Sequence, residues 1–153
     1  MPSLSNASLA AEPGRVVAVV LPQAEVDPYG TLRLASEHYR AAIESAGFST
    51  LTVDLDRFGP EEVTALCAVP LHAVFSDGGW VNRIVVDDHG SPKLLVERLG
   101  VPVIALINDS PCSTWMHLLI GQDHPGQITA FLDPDFSMLW RRWVPQRGVH
   151  CVY

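Results

Sequence analysis

The residues in this chain whose types and spacing could do chemistry stand at the ends of two apolar runs. Val101-Pro-Val-Ile-Ala-Leu-Ile107 leads into Asn108-Asp109-Ser110-Pro111, and Leu71-His-Ala-Val-Phe75 leads into Ser76-Asp77-Gly78-Gly79-Trp80. A carboxylate such as Asp109 or Asp77 can take a proton as general base or hold a hydroxyl. Asn108 and Ser110 offer further polar contacts, and Gly78 and Gly79 let a ligand come close to the backbone. Trp80 and Trp115 carry faces that can stack on a sugar or a base. Each has a plainer use as well. Asp109-Ser110-Pro111 can simply cap a following helix, the glycines can make a turn, and the tryptophans can be packing.

Other chemistries find little support. The six histidines (38, 72, 89, 117, 124 and 150) show no His-x-x-x-His or His-Glu-x-x-His spacing, so no metal and no cofactor is expected. Cys67, Cys112 and Cys151 are odd in number and far apart, which suits thiols used as small apolar residues in a reducing compartment. No Gly-x-Ser-x-Gly nucleophile turn is present. Val86-Asp-Asp-His-Gly90 has the composition of an acid–base cluster but reads as a solvated loop before a Ser91-Pro92 helix start. Trp140 and Trp143, three apart, read as packing. The net charge of −7 and a single lysine, Lys93, leave no basic stripe for nucleic acid. With 48% hydrophobic and 18% charged residues the chain is globular. The apolar run Val16–Leu21 is far shorter than a membrane span of about 20 residues, and Met1–Gly14 lacks the pattern of a signal peptide. A cytoplasmic protein with a flexible tail over residues 1–14 and one domain over 15–153 is expected.

The elements that must position these residues alternate along the chain. Val16–Leu21 is a strand buried on both faces. After the Pro22–Gly30 loop, Thr31 can cap a helix whose apolar positions Leu32, Ala35, Tyr39, Ala42, Ile43 and Ala46 keep helical spacing. Phe48–Leu55 is the second strand, Gly59-Pro60 opens a short helix, and Leu71–Phe75 is the third strand. Ser91-Pro92 opens a helix running to Gly100, and Val101–Ile107 is the fourth strand. Ser110-Pro111 opens a helix to Gly121, Gln127–Leu132 is the fifth strand, and Asp133-Pro134 caps the last helix. Helices end at Gly47, Gly100 and Gly148, where glycine tolerates the left-handed backbone of a helix stop.

Such alternation implies an α/β fold: a Rossmann-like three-layer sandwich around a mostly parallel sheet of five or six strands. Ligands of such sheets sit beyond the carboxyl ends of the strands, where strand order reverses. With the first strand central, that places the crevice between the loops after the first and fourth strands, with Ser76–Trp80 on the same edge. Three familiar uses of the fold fit poorly. The first strand ends Leu-Pro-Gln-Ala, with no Gly-x-Gly-x-x-Gly for a dinucleotide; Lys93 is in no P-loop; and the acidic pair and lysine of a phosphorylated receiver are missing.

One resemblance remains. Leu99-Gly-Val-Pro-Val-Ile-Ala-Leu-Ile-Asn-Asp-Ser-Pro111, then Thr129-Ala-Phe-Leu-Asp133, then a helix and Gly148-Val-His-Cys-Val-Tyr153, resembles the N-terminal half of GT-B-fold bacterial glycosyltransferases of the spore-maturation type. The matching positions are Gly100, Pro102, Asp109, Pro111 and Asp133, and the resemblance covers about Leu71 to Tyr153. An aromatic that often precedes the Asp in that group is replaced here by Leu106-Ile107. The resemblance implies an acceptor-binding domain and a C-terminal Rossmann-like domain outside this chain. It also implies transfer of a sugar from a nucleotide-sugar to an acceptor hydroxyl in the cleft between the two domains. Asp109 and Asp77 would then be the candidates for acceptor contact or general base, with Asn108, Ser110, Gly78, Gly79, Trp80 and Trp115 around the substrate. Two alternatives stay open: a stand-alone flavodoxin-like binding or regulatory module, and another small α/β enzyme whose site the motifs do not reveal.

Overall fold

The computed structural model describes residues 15–88, 90–108, 126–143 and 149–151. Its framework is a six-stranded, wholly parallel sheet. The strands are β1 (Val16–Leu21), β2 (Ser49–Asp54), β3 (Leu71–Asp77), β6 (Val103–Ile107), β7 (Gln127–Phe131) and β8 (Val149–Cys151), in spatial order β2-β1-β3-β6-β7-β8. The intervening β4 (Val85–Asp88) and β5 (Ser91–Leu94) form a separate antiparallel hairpin. The helices are α1 (Thr31–Ser45), α2 (Pro60–Cys67), α3 (Leu95–Leu99) and α4 (Pro134–Trp143), with a 3-10 turn over Trp80–Arg83.

Alternation along β1 explains why it is apolar throughout. Val17 and Val19 join Phe75, Leu106 and Ala130 under Tyr39 and Ile43 of α1. Ala18 and Val20 face the opposite way, packing with Val74 and Val103 against Val63 and Leu66 of α2 and Leu95 and Val96 of α3. A strand covered on both faces must be apolar at every position, and all six of its residues are buried. The chain steps from β1 to β2 in one direction and from β2 to β3 and beyond in the other. Right-handed crossovers therefore put α1 on one face and α2 and α3 on the other. The three-layer sandwich expected from the sequence is present.

Several local expectations hold. Asp133 caps α4, its Oδ1 accepting the Asp135 N–H at 2.8 Å, and Trp140 of that helix is buried against Phe131 with ring centroids 5.7 Å apart. Pro60 opens α2, and the Glu62 carboxylate reaches back to the Gly59 N–H at 2.9 Å. Gly100 stops α3 at φ 64°. The tail 1–14, the Ser110–Gly121 helix and Gly148 lie outside the described residues.

Two expectations are corrected. Ser91-Pro92 does not open a helix: Ser91–Leu94 pairs antiparallel with Val85–Asp88, and α3 starts only at Leu95, where Glu97 accepts the Leu94 N–H. The same pairing makes Val86–Asp88 part of a strand rather than a solvated loop. Asp87 Oδ1 accepts the Gly90 N–H at 2.7 Å to close the turn, and Pro92 is tolerated because a two-stranded ribbon is all edge. The cap of α1 is the second correction. Thr31 is not the cap; its hydroxyl donates to Asp27, and it is Asp27 Oδ2 that accepts the Arg33 N–H at 2.8 Å.

Candidate functional site

The strand order settles where the crevice lies. β3 sits between β1 and β6, so order reverses between β1 and β3, not between the first and fourth strands of the main sheet. The loops that flank the reversal are Pro22–Gly30 and Ser76–Trp80. Asn108 stands one strand further along.

The first of these loops is held by a charged brace. Arg33 donates to Pro22 O at 2.7 Å, to Asp56 Oδ2 at 3.0 Å and to Asp54 Oδ2 at 2.9 Å. Asp56 Oδ1 in turn accepts the Ala24 N–H at 2.9 Å. The loop after β1 is thereby tied to the end of β2. Burial would raise the Asp54 carboxyl, but the Arg33 bond, the Asp56 N–H and the nearby guanidinium charges outweigh it and hold it below its ordinary value. Asp27, buried within the loop, behaves alike: burial pushes up, and the N–H bonds of Arg33, Leu32 and Thr31 pull it lower.

The second loop is a glycine turn that places a tryptophan. Gly78 and Gly79 both have positive φ, 69° and 68°, in a conformation that costs other residues about 1–2 kcal/mol. The Gly78 N–H donates to Leu106 O at 2.7 Å, fixing the turn to β6, and the buried Ser76 hydroxyl accepts the Val81 N–H. A Cβ on Gly78 would stand 2.7 Å from Trp80 Nε1. The indole thus packs directly on this glycine. Arg83, one turn on, carries its guanidinium carbon 5.7 Å from the Trp80 ring centroid.

Between the loops is an open crevice of about 420 Å³, lined by Gln23, Glu25 and Val26 after β1, Leu55 and Phe58 after β2, and Trp80, Arg83 and Ile84 after β3. It mixes aromatic and aliphatic walls with one carboxylate, one amide and one guanidinium. Small-ligand pockets in general combine apolar walls with a few polar groups.

Asp77 and Asn108 form a second polar feature on the same edge. The Asn108 Nδ2 donates to Asp77 Oδ1 at 2.8 Å, linking the ends of β3 and β6. Asp77 is buried, two residues beyond Phe75 and so on the α1 side of the sheet. Tyr39 of α1 registers it: burial first, then the Asp77 charge, pushes the phenol above its ordinary value. The crevice opens on the opposite side, since Leu55, Phe58 and Ile84 pack with the α2–α3 layer.

The sequence-predicted residues therefore separate. Trp80 lines the crevice, Gly78 and Gly79 form the turn that places it, and Asp77 with Asn108 forms a pair on the other side of the sheet. Asp109, Ser110 and Trp115 lie outside the described residues. Sequence reasoning missed Arg83 and Glu25. The Trp80-x-x-Arg83 spacing was the available signal for the first, placing a cation one turn from a singled-out ring. It also missed Arg33, whose partners are 21 and 23 residues away and leave no local pattern. Among the described residues, no three His, Cys, Asp or Glu side chains are grouped to hold a metal ion, and no helix is long and apolar enough to cross a membrane. In comparisons with known proteins, no family model, no curated protein and no solved structure matches the chain.

Proposed function

We propose that this chain is the acceptor-side domain of a glycosyltransferase. The crevice between the β1 and β3 loops holds the acceptor, and a C-terminal Rossmann-like domain outside this chain holds the nucleotide-sugar. The observation that carries the reading is the position of the crevice: it opens where strand order reverses, and an indole fixed by a glycine turn forms its wall. The resemblance of the sequence at Gly100, Pro102, Asp109, Pro111 and Asp133 to the GT-B group suggests the reaction class. An acceptor hydroxyl attacks the anomeric carbon, a base takes its proton, and the nucleotide departs with the electron pair of the broken C–O bond. Of the two base candidates offered by the sequence, Asp77 is buried on the side of the sheet away from the crevice, which leaves Asp109. Isothermal titration of the chain with neutral and charged mono- and oligosaccharides tests the reading. Binding at about millimolar Kd or tighter, lost in a folded Trp80→Ala variant, supports it. Equal binding by both proteins, or binding of none, overturns it.

The strand order favours one second reading. Order β2-β1-β3-β6-β7 is that of flavodoxin-like proteins, which bind at the same switch point without a second domain. On that reading the chain is a stand-alone binding or regulatory module, and a ligand of the isolated chain would never be a substrate for sugar transfer.

A further inference from the structure

We infer that the crevice takes a ring-shaped ligand bearing an anionic group, a carboxylate or a phosphate, with Arg83 as its anchor and Trp80 as the surface for its ring. The inference rests on the crevice being the binding site, and it adds the ligand's charge. Its ground is the way this molecule treats its cations. Arg33, Arg40, Arg57, Arg98 and Lys93 each have a carboxylate within 4.0 Å. Arg83 and Arg142 have none among the described residues, and of these two Arg83 lies over the Trp80 ring, exposed, in the lining of the crevice. In a chain of net charge −7 a cation left facing a cavity is not there for lack of acidic partners.

Its fork of N–H donors matches the paired oxygens of a carboxylate or phosphate. Trp80 and Phe58 supply apolar surface for a ring. Glu25, on the facing loop, accepts hydroxyls and repels a second anion, so a ligand with hydroxyls at one end and charge at the other is oriented. The volume of about 420 Å³ is within the range of small-ligand pockets, about 300–1,000 Å³, and holds one or two rings rather than a long chain.

Calorimetric titrations with glucose, glucuronate, glucose 6-phosphate and uridine monophosphate test it, on the wild type and on Arg83→Gln and Arg83→Lys. The expected result is that the two anionic sugars bind about tenfold or more tighter than glucose. Arg83→Gln removes that preference, Arg83→Lys keeps part of it, and added salt weakens it. If uridine monophosphate alone binds, and needs Arg83, the anionic-ring inference holds and the acceptor reading falls. If glucose and glucuronate bind equally, or Arg83→Gln keeps the preference, the inference falls and the acceptor reading stands. If none of the four binds, both fall.

Discussion

Arg33 and Arg83 stand on the same edge of the sheet, at the loops after β1 and β3. Arg33 is spent on the protein itself: one carbonyl and two carboxylates receive its N–H groups, and its partners Asp54 and Asp56 close the loop over it. Arg83 has its guanidinium over an indole and no carboxylate within 4.0 Å among the described residues. The difference separates two jobs that sequence cannot distinguish in an arginine. One guanidinium ties the loop after β1 to the end of β2 through part-buried and exposed oxygens, and the other stands in the lining of the open crevice. The same division holds for the carboxylates. Asp27 is taken up by backbone N–H groups at the start of α1, while Glu25, two residues earlier, faces the crevice.

The comparison breaks most easily at Arg33. Arg33→Met removes the guanidinium donors of the brace and leaves Asp54, only a quarter exposed, with Arg57 at 4.0 Å as its remaining ion pair. The expected loss is about 2–3 kcal/mol, smaller than for a fully buried pair because both ends still touch water. It should appear as a fall of roughly 5–10 °C in Tm. Arg83→Gln should move stability by no more than about 0.5 kcal/mol. Equal losses in the two variants would end the distinction. Gly78→Ala comes next. It forces a side chain into a left-handed backbone and drives a Cβ to 2.7 Å from the Trp80 indole nitrogen. A loss of about 2 kcal/mol with a displaced Trp80 indole N–H resonance is expected. An unshifted resonance would show that the glycine does not set the wall.

How far these features could be read beforehand depends on how local their causes are. β1 was legible because burial on both faces leaves a continuous apolar run, and α4 because Asp133-Pro134 supplies its own cap. The β4–β5 hairpin was not. Ser91-Pro92 has the residues of a helix start, and only cross-strand pairing with Val85–Asp88 makes it a strand. Asp27 does not stand out as a cap in the sequence because Thr31, at the start of the helix, is the obvious acceptor for a free N–H. The folded loop instead brings a carboxylate from four residues further back. The sequence reading puts the reversal of strand order between the first and fourth strands, and the structure has it between β1 and β3. Strand order is a tertiary fact, and the alternation of elements fits several orders equally. Trp80 stands out in the sequence by its type and place, whereas Arg83 gains meaning from its place in the lining of the crevice.

The smallest expected effect lies with Asp27, and its sign follows from the direction of its shift. Its carboxyl is held below the ordinary value in the folded protein, because backbone N–H bonds outweigh burial. A group depressed in this way contributes stability that is fully present above its unfolded value, about 4. The contribution is lost as pH falls through the lower folded value. Asp54 is shifted in the same direction, so the wild-type protein should lose stability on acidification below about pH 4. Asp27→Asn keeps one capping oxygen but gives up the charge beside the positive end of α1. It should cost about 1 kcal/mol at neutral pH and flatten the acid limb, so that the two proteins converge at low pH. Urea denaturation across the acid range measures both. Curves that stay parallel down to the lowest pH would mean that the Asp27 charge adds nothing, and that the loop after β1 is held by the Arg33 brace alone.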